Sequence, residues 1–216
     1  MKNAIHEIAK IKVFLIACFL FIVVGGIIAL MYDKTTIHLS INEHHNYWFD
    51  AIFKHGTDLG DGLITALAIV PIGLMLFKKY RFSTFILGGL TMLFTGIFAQ
   101  FMKRVVYPNA ERPMRFIGEE FLYLVPGVDV HSMNSFPSGH TATAFAFFAF
   151  ITFAFFRTKK RYQLMMALLA VFVGYSRMYL SQHFLEDVVV GALLGLLAYF
   201  VAHIIVGMIP WKKGIV

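Results

Sequence analysis

The sequence has few cysteines, few charged residues and no linkers. Its single cysteine, Cys18, excludes an intrachain disulfide and leaves the redox compartment open. No convincing internal repeat and no low-complexity segment divides the 216 residues, so we predict one domain over residues 1–216. Charged residues make up only 14% of the chain, which is far from the composition of a soluble protein.

Long apolar runs fill most of the chain. Hydrophobic residues account for 59% of it, the mean hydropathy is +0.73, and there are 24 phenylalanines. A helix that crosses a bilayer needs about 20 largely apolar residues. The first run is too long for a signal peptide and lacks a clean cleavage pattern, so we interpret it as a retained span. The sequence therefore predicts an all-α polytopic membrane bundle with six transmembrane helices at approximately 11–31, 62–77, 83–102, 138–156, 162–180 and 188–209.

Basic and acidic residues are distributed unequally between the predicted loops. Positively charged loops are retained on the cytoplasmic side of a membrane. With the amino terminus inside, the inner segments hold twelve of the nineteen basic residues, whereas Glu7 is their only acidic residue. This predicts cytoplasmic amino and carboxy termini and two long outer loops, 32–61 and 103–137. Since the net charge of +7 follows from topology, we expect no nucleic-acid partner.

The first outer loop combines aromatic residues with two aspartates. Its stretch NYWFDAIFK, residues 46–54, predicts a short helix at the membrane interface, with an aromatic belt that anchors the chain. Asp61 stands where the N-cap of the second span belongs. Asp58 and Asp61 are also candidate ligands, although capping residues are common at helix starts.

Polar residues that do not belong in lipid occur in three further stretches. These are residues 103–115 (KRVVYPNAERPMR), 135–140 (SFPSGH) and 176–187 (SRMYLSQHFLED). Under the predicted topology, all three open on the outer face of the membrane, periplasmic or extracellular. Because charge close to a membrane is costly unless it is used, we expect the three stretches to build one site there.

Three basic residues in these stretches favour an anionic ligand. Lys103, Arg112 and Arg177 could converge on one polyanion, and the planar guanidinium group of arginine suits phosphate oxygens. A divalent cation would prefer carboxylates. The surrounding positive charge therefore argues against a metal site, and we expect neither a metal nor another cofactor.

The stretch SFPSGH begins the fourth predicted span. With Pro137 in the first turn, Ser138, Gly139 and His140 lie at a helix amino terminus, where free N–H groups and the helix dipole favour an anion. Ser138 can donate a further hydrogen bond, and Gly139 lets the backbone approach a ligand closely. His140 can exchange a proton near neutral pH.

Two histidines supply possible chemistry for a bound phosphate. His183 and Asp187 are four residues apart, so on a helix they share one face and the carboxylate can hold one imidazole nitrogen. The other nitrogen is then a positioned nucleophile. If His140 protonates the leaving oxygen from the opposite side, the two histidines would transfer a phosphoryl group through a phosphohistidine without a metal.

Together, the three stretches resemble the signatures of the type 2 phosphatidic acid phosphatase superfamily. They supply Lys103 with Arg112-Pro113, then Pro137-Ser138-Gly139-His140, and then Ser176-Arg177 with His183 and Asp187. The resemblance runs from about residue 58 to 195, and the second and third signatures have the usual spacing. Eight residues rather than the usual six separate Lys103 from Arg112, and the turn formers Pro108 and Asn109 could loop out the extra length.

This resemblance implies a metal-independent phosphatase that acts on the phosphate or diphosphate of a membrane lipid. His183 would be the nucleophile, Asp187 its orienting partner and His140 the general acid. The phosphate would be held by Lys103, Arg112, Ser138, Gly139, Ser176 and Arg177. Candidate substrates are undecaprenyl diphosphate, phosphatidylglycerol phosphate, phosphatidic acid and the phosphates of lipid A. The compact chain and the resemblance favour a bacterial inner membrane.

Three alternative classes remain open. A transporter of a phosphorylated lipid or anion would place its charges near the bilayer midplane, whereas these charges lie at predicted helix ends. A vanadate-binding relative of the haloperoxidases would have the same motif set, but that group is not typically a small six-span membrane protein. A catalytically inactive relative would normally have lost one of the histidines, and both are present here.

Overall fold

The computed structural model describes residues 2–79 and 82–209. Within these two ranges the chain is all-helical and contains no β-strand, as the fold prediction requires. Three of the basic residues counted in the predicted cytoplasmic segments, Arg81, Lys212 and Lys213, lie outside the described residues.

Ten α-helices follow one another in the described chain. In order they are α1 Lys2–Ala9, α2 Lys12–Met31, α3 Lys34–Asn42, α4 Tyr47–Gly56, α5 Gly62–Lys79, α6 Phe82–Phe101, α7 Pro113–Ile117, α8 Gly139–Phe155, α9 Lys160–Tyr179 and α10 Leu185–Met208. Helices α2, α5, α6, α8, α9 and α10 fall close to the six predicted spans.

Membrane-spanning character is clearest in three segments of the described chain. Lys12–Met31, Phe82–Val106 and Leu185–Met208 are long and apolar enough to cross a bilayer, and Gly62–Gly73 and Gly139–Phe155 are shorter apolar helices. The segments α2, α6 with its extension, and α10 make this an integral membrane protein. The count of six spans stays a prediction, because α9 carries basic residues at both of its ends.

Helix α8 lies at the centre of the bundle, packed by α6, α9 and α10. Its sequence alternates small and aromatic residues, and eleven of its seventeen residues are buried. A helix that is apolar on all sides is typically enclosed by its neighbours. A Cβ atom at Gly195 of α10 would lie 2.2 Å from the Ala142 carbonyl oxygen. Small residues therefore allow α8 and α10 to pack at close range.

The short helices α3 and α4 lie beside one end of this bundle. Asp33 caps α3 by accepting from Thr35 N–H at 2.8 Å. The predicted interfacial helix is α4, where Tyr47 and Trp48 are 78% and 71% exposed, while Phe53 packs against Tyr179.

A 3₁₀ turn, Thr57–Gly60, leads from α4 into α5. Asp61 follows this turn, and one of its carboxylate oxygens accepts from the N–H groups of Leu63 and Ile64, each at 2.9 Å. Two such bonds satisfy donors that a helix start leaves free. The predicted N-cap role of Asp61 is thereby confirmed.

The opposite end of the bundle is held by Gln163 and by ion pairs. Gln163 is 2% exposed, and all of its side-chain hydrogen-bonding groups have partners. Its amide nitrogen donates to the carbonyl oxygens of Lys10, Phe156 and Arg157 at 2.9, 3.1 and 2.9 Å, and its oxygen accepts from Val13 N–H at 3.1 Å.

Candidate active site

Four helix ends meet around one cavity of about 470 Å³. Helices α6 and α9 end there, and α8 and α10 begin there, so the polar residues of three distant stretches come together. Of the predicted site residues, those that line the cavity are Lys103, Arg112, Gly139, His140, Arg177 and His183.

His183 lies in the turn between α9 and α10. Asp187 is the third residue of α10, and its Oδ2 accepts a hydrogen bond from the N–H of the N-cap residue Phe184 at 2.9 Å. The same oxygen lies 3.3 Å from His183 Nδ1 and accepts from the Ser135 hydroxyl. The predicted pairing of His183 with Asp187 is present, but a helix start brings the two together, because His183 itself is not helical.

The charge state of His183 follows from its surroundings. The side chain is almost fully buried. Burial, followed by the nearby cations Arg112 and Arg177, lowers the pKa of His183 well below its usual value. The imidazole is therefore neutral at neutral pH, which is the form that can act as a nucleophile.

Ser138 is the N-cap of α8 and faces into the protein. Its hydroxyl oxygen accepts from Thr141 N–H at 3.4 Å and from the Thr141 hydroxyl at 2.8 Å, and its own N–H donates to the Asp187 carbonyl at 2.9 Å. Ser138 is fully buried and does not line the cavity, unlike Gly139 and His140. Pro137 precedes the N-cap, which corrects its predicted place in the first helical turn.

Lys103 reaches the cavity because α6 ends in a π-helical turn, Met102–Val106. Its Nζ donates to the Asn134 carbonyl at 2.9 Å. Between Lys103 and Arg112 the chain turns at Asn109, which has a φ of +63°, a left-handed conformation that asparagine tolerates. Residues 104–111 do not line the cavity, although Lys103 and Arg112 both do.

Arg112 is the N-cap residue of α7, and protein groups hold its guanidinium. Nε donates to the Met133 carbonyl at 2.8 Å, while Nη1 donates to the backbone oxygen and to Oε1 of Gln182 at 3.0 and 2.8 Å. Burial lowers the pKa of Arg112, but a guanidinium stays charged in proteins. Gln182 therefore fixes the orientation of a positive charge in the cavity.

Arg177 brings a second guanidinium from the last turn of α9. Its Nη1 donates to the Thr57 hydroxyl at 2.9 Å. Its Nε is buried and, among the residues that the structure describes, has no hydrogen-bond partner. Buried donors are rarely left unpaired. The neighbouring Ser176 donates to the Val173 carbonyl at 2.7 Å and does not line the cavity.

Carboxylates do not dominate the site. Across residues 2–79 and 82–209, no three His, Cys, Asp or Glu side chains come together in a way that could hold a metal ion. The prediction that the protein needs no metal stays a prediction.

The family model for the PAP2 superfamily matches residues 84–211, which is more than half of the chain. The chain belongs to the PAP2 superfamily.

Curated PAP2 relatives include two kinds of lipid phosphatase. The chain is 29% identical to phosphatidylglycerophosphatase B of Bacillus subtilis over 162 residues, 71% of this chain and 73% of that protein. It is 30% identical to the lipid A 1-phosphatase of Rhizobium johnstonii over 105 residues, 49% of this chain. The match covers only 41% of the length of the rhizobial protein.

Solved PAP2 structures are similar in fold. The phosphatidylglycerolphosphate phosphatase from Bacillus subtilis aligns with a TM-score of 0.64 and 25% identity, over 91% of this chain and 98% of that one. The LpxE protein of Aquifex aeolicus aligns with a TM-score of 0.63 and 27% identity, over 77% and 92% of the two chains. Both alignments extend the likeness well beyond the three short signatures.

Sequence reasoning missed several residues of this PAP2 site. Ser135 and Gln182 lie inside the stretches singled out, but nothing in their spacing shows that they contact Asp187 and Arg112. Thr57 precedes the family match and has no sequence signal at all. The cavity wall also includes Asp58, one of the two candidate ligands, and four residues to which no role was assigned: Lys54, His55, Asp129 and His131.

Proposed function

We propose that this PAP2 protein is a lipid phosphatase that removes the phosphate or diphosphate of a membrane lipid through a phosphohistidine. The main support is that His140 and His183 line the same cavity as the predicted phosphate ligands Lys103, Arg112 and Arg177. The names of the relatives, lipid A 1-phosphatase and phosphatidylglycerophosphatase B, favour the same class of reaction.

In the first step, His183 attacks phosphorus. Asp187 holds Nδ1, so Nε2 carries the lone pair that forms the new N–P bond. Lys103, Arg112 and Arg177 bind the phosphoryl oxygens and balance the charge that spreads over them. A phosphate oxygen would also give the buried Nε of Arg177 the acceptor that it lacks.

His140 then acts as the general acid. As the P–O bond breaks, His140 donates a proton to the leaving lipid oxygen, and the lipid product departs. Water next attacks the phosphohistidine and gives a proton back to His140. The N–P bond breaks, inorganic phosphate is released, and His183 returns to its neutral form without a metal or another cofactor.

The proposed setting is a bacterial inner membrane, with six spans, cytoplasmic termini and the cavity at the outer face. Helix ends line the cavity, so a phosphorylated headgroup could enter it while the acyl or prenyl chains stay in the bilayer. The positions of Ser138, Gly139 and Ser176 do not support their predicted phosphate-binding roles equally. Gly139 lines the cavity, whereas the two serines do not.

The proposal is tested by phosphate release from the purified protein in detergent. The panel contains undecaprenyl diphosphate, phosphatidylglycerol phosphate, phosphatidic acid and lipid A, each with and without a chelator. We expect hydrolysis of at least one lipid, unchanged by the chelator and inhibited by vanadate. A transporter would release no phosphate, and loss of activity in the chelator would contradict metal independence.

The His183→Ala variant is the decisive one. Removing a covalent nucleophile should lower the rate by about 10³-fold or more, while the melting temperature shows whether the variant folds. His44→Ala is the matched control, because His44, in the connection between α3 and α4, does not line the cavity and should keep wild-type activity. Full activity in His183→Ala would overturn the assignment.

A further inference from the structure

Asp61 approaches the proposed general acid from outside the cavity. His140 Nε2 lies 3.9 Å from Asp61 Oδ2, and the two side chains are 31% and 36% exposed. The two oxygens of the Asp61 carboxylate face different neighbours. Its Oδ1 accepts both N–H groups at the start of α5, which leaves Oδ2 toward the imidazole. Serine or asparagine would cap the helix equally well, so capping alone does not require a carboxylate.

The backbone brings this turn against His140. A Cβ atom at Gly60 would lie 2.6 Å from the His140 carbonyl oxygen and 2.5 Å from Val173 Cγ1. A side chain at this position would therefore push the turn away from α8. The same turn supplies the Thr57 hydroxyl that accepts from Arg177. Residues 57–61 are therefore a fourth segment of the site, packed behind the three signature stretches.

The charges around His140 are unbalanced without Asp61. The cations that disfavour a proton on the imidazole lie on the cavity side and are Arg177, Arg112 and Lys103. Among the described residues, Asp61 is the carboxylate that favours that proton. His183 lines the same cavity, and both Asp58 and Asp61 lie near Arg177. A general acid must carry a proton when the leaving group departs, and three cations oppose that charge.

We propose that Asp61 is a positioning residue for His140. Its Oδ2 holds one N–H of the protonated imidazole and balances its charge, so that the other N–H is directed at the leaving oxygen. Asp61 does not line the cavity and does not touch the phosphate. The distance of 3.9 Å would shorten when the imidazole is protonated, as catalytic hydrogen bonds often do on substrate binding. This inference rests on the proposed phosphatase function.

The test uses Asp61→Asn, which keeps the cap but removes the charge. Two phosphate monoesters are compared: whichever of phosphatidylglycerol phosphate, phosphatidic acid and lipid A wild type hydrolyses fastest, and the phosphate of a long-chain alkylphenol. A phenol has a pKa of about 10, so it leaves with little help from an acid, whereas an alkyl alcohol needs a proton. We expect kcat/KM to fall by about 10- to 100-fold on the lipid and by less than about 3-fold on the aryl ester.

Two controls separate positioning from structure. Asp33→Asn makes the same change at the cap of α3, away from the cavity, and should keep wild-type activity on both esters. Asp58→Asn changes a carboxylate that lines the cavity, and should affect both esters equally. The double variant Asp61→Asn with His140→Ala should be no slower than His140→Ala alone, because Asp61 acts through that imidazole.

The outcomes distinguish this inference from the proposed function. If wild type hydrolyses no lipid, or His183→Ala stays active, the phosphatase assignment itself fails. If wild type is active but Asp61→Asn matches it, or loses equal activity on both esters, or adds to His140→Ala, then the positioning role of Asp61 is wrong while the phosphatase assignment stands.

Discussion

Both ends of the bundle hold polar side chains, but in the described part of the chain it is the cavity end that leaves a buried donor unpaired. At the end opposite the cavity, Arg157 Nη1 meets Glu7 at 3.2 Å and its Nε donates to the Phe153 carbonyl at 2.9 Å. Gln163 uses all of its donors and its acceptor there. At the cavity, three cations face one another, and Arg177 keeps a buried donor without a partner in the described chain.

This difference separates a structural polar cluster from a binding site. Buried charges that lack partners cost free energy, so a protein without a ligand for them would gain stability by losing them. A cluster whose hydrogen bonds are complete gains nothing from an added anion. We therefore expect substitutions at the cavity to change activity, and equivalent substitutions at the opposite end to change stability.

The largest effect that we expect within this comparison comes from Asp187→Asn. In the serine-protease triad, the equivalent loss of an orienting carboxylate lowers kcat by about 10⁴. We expect a fall of about 10³-fold or more here, where Asp187 also holds Phe184 N–H. Kinetics on the best panel lipid provide the measurement. Glu186→Gln, on the neighbouring residue, should stay within about 2-fold of wild type, since an exposed pair such as Lys34 with Glu186 contributes little. Retention of a large share of activity by Asp187→Asn would remove the orienting role.

A matched arginine pair should give an intermediate effect. Arg112→Lys should lower kcat/KM by about 10- to 100-fold, because one ammonium cannot replace hydrogen bonds worth about 1.5–3 kcal/mol each. Arg157→Lys makes the same change at the opposite end and should alter the free energy of unfolding by at most about 1 kcal/mol. Equal losses of activity in the two variants would show that the two ends do not differ as described.

A matched glutamine pair should give the smallest effect. Gln163→Leu leaves backbone groups of the opposite end unpaired, so it should lower the free energy of unfolding by about 1–3 kcal/mol. The activity of the folded fraction should not change. Gln182→Leu instead removes one of the three hydrogen bonds that hold the Arg112 guanidinium, and we expect a fall of about 10-fold in kcat/KM from the loss of this charged hydrogen bond. Denaturant unfolding in detergent and initial rates measure the two quantities, and a reversed pattern would contradict the comparison.

Sequence reasoning predicted the all-helical fold and the membrane setting well, because both depend on composition and on local apolar runs. It also brought His140, His183, Arg112 and Arg177 to one site, since helix ends of alternating direction must meet. The placement of Lys103 was harder to predict. It depends on a π-helical turn that the apolar pattern of α6 does not reveal.

The details that sequence could not supply are contacts between distant stretches. Ser135 meets Asp187 across 52 positions, and Arg177 meets Thr57 across 120. The direction of a hydroxyl is equally hidden. Ser138 and Ser176 have the residue type and the motif position of phosphate ligands, yet each hydroxyl is bonded to its own helix. The packing of distant parts of the chain determines these orientations, so the local sequence pattern does not reveal them.

The contact between α10 and the start of α8 also determines when the site can assemble during synthesis of the chain. Ser138 N–H binds the Asp187 carbonyl, and a Cβ atom at Gly191 would lie 2.6 Å from the Ser138 carbonyl oxygen. Asp187 of α10 and the proposed nucleophile His183, in the turn before α10, thus leave the ribosome after the other residues of the site. A chain whose synthesis has not reached α10 would lack Asp187 and would be catalytically silent, and activity would begin only when α10 docks against α8.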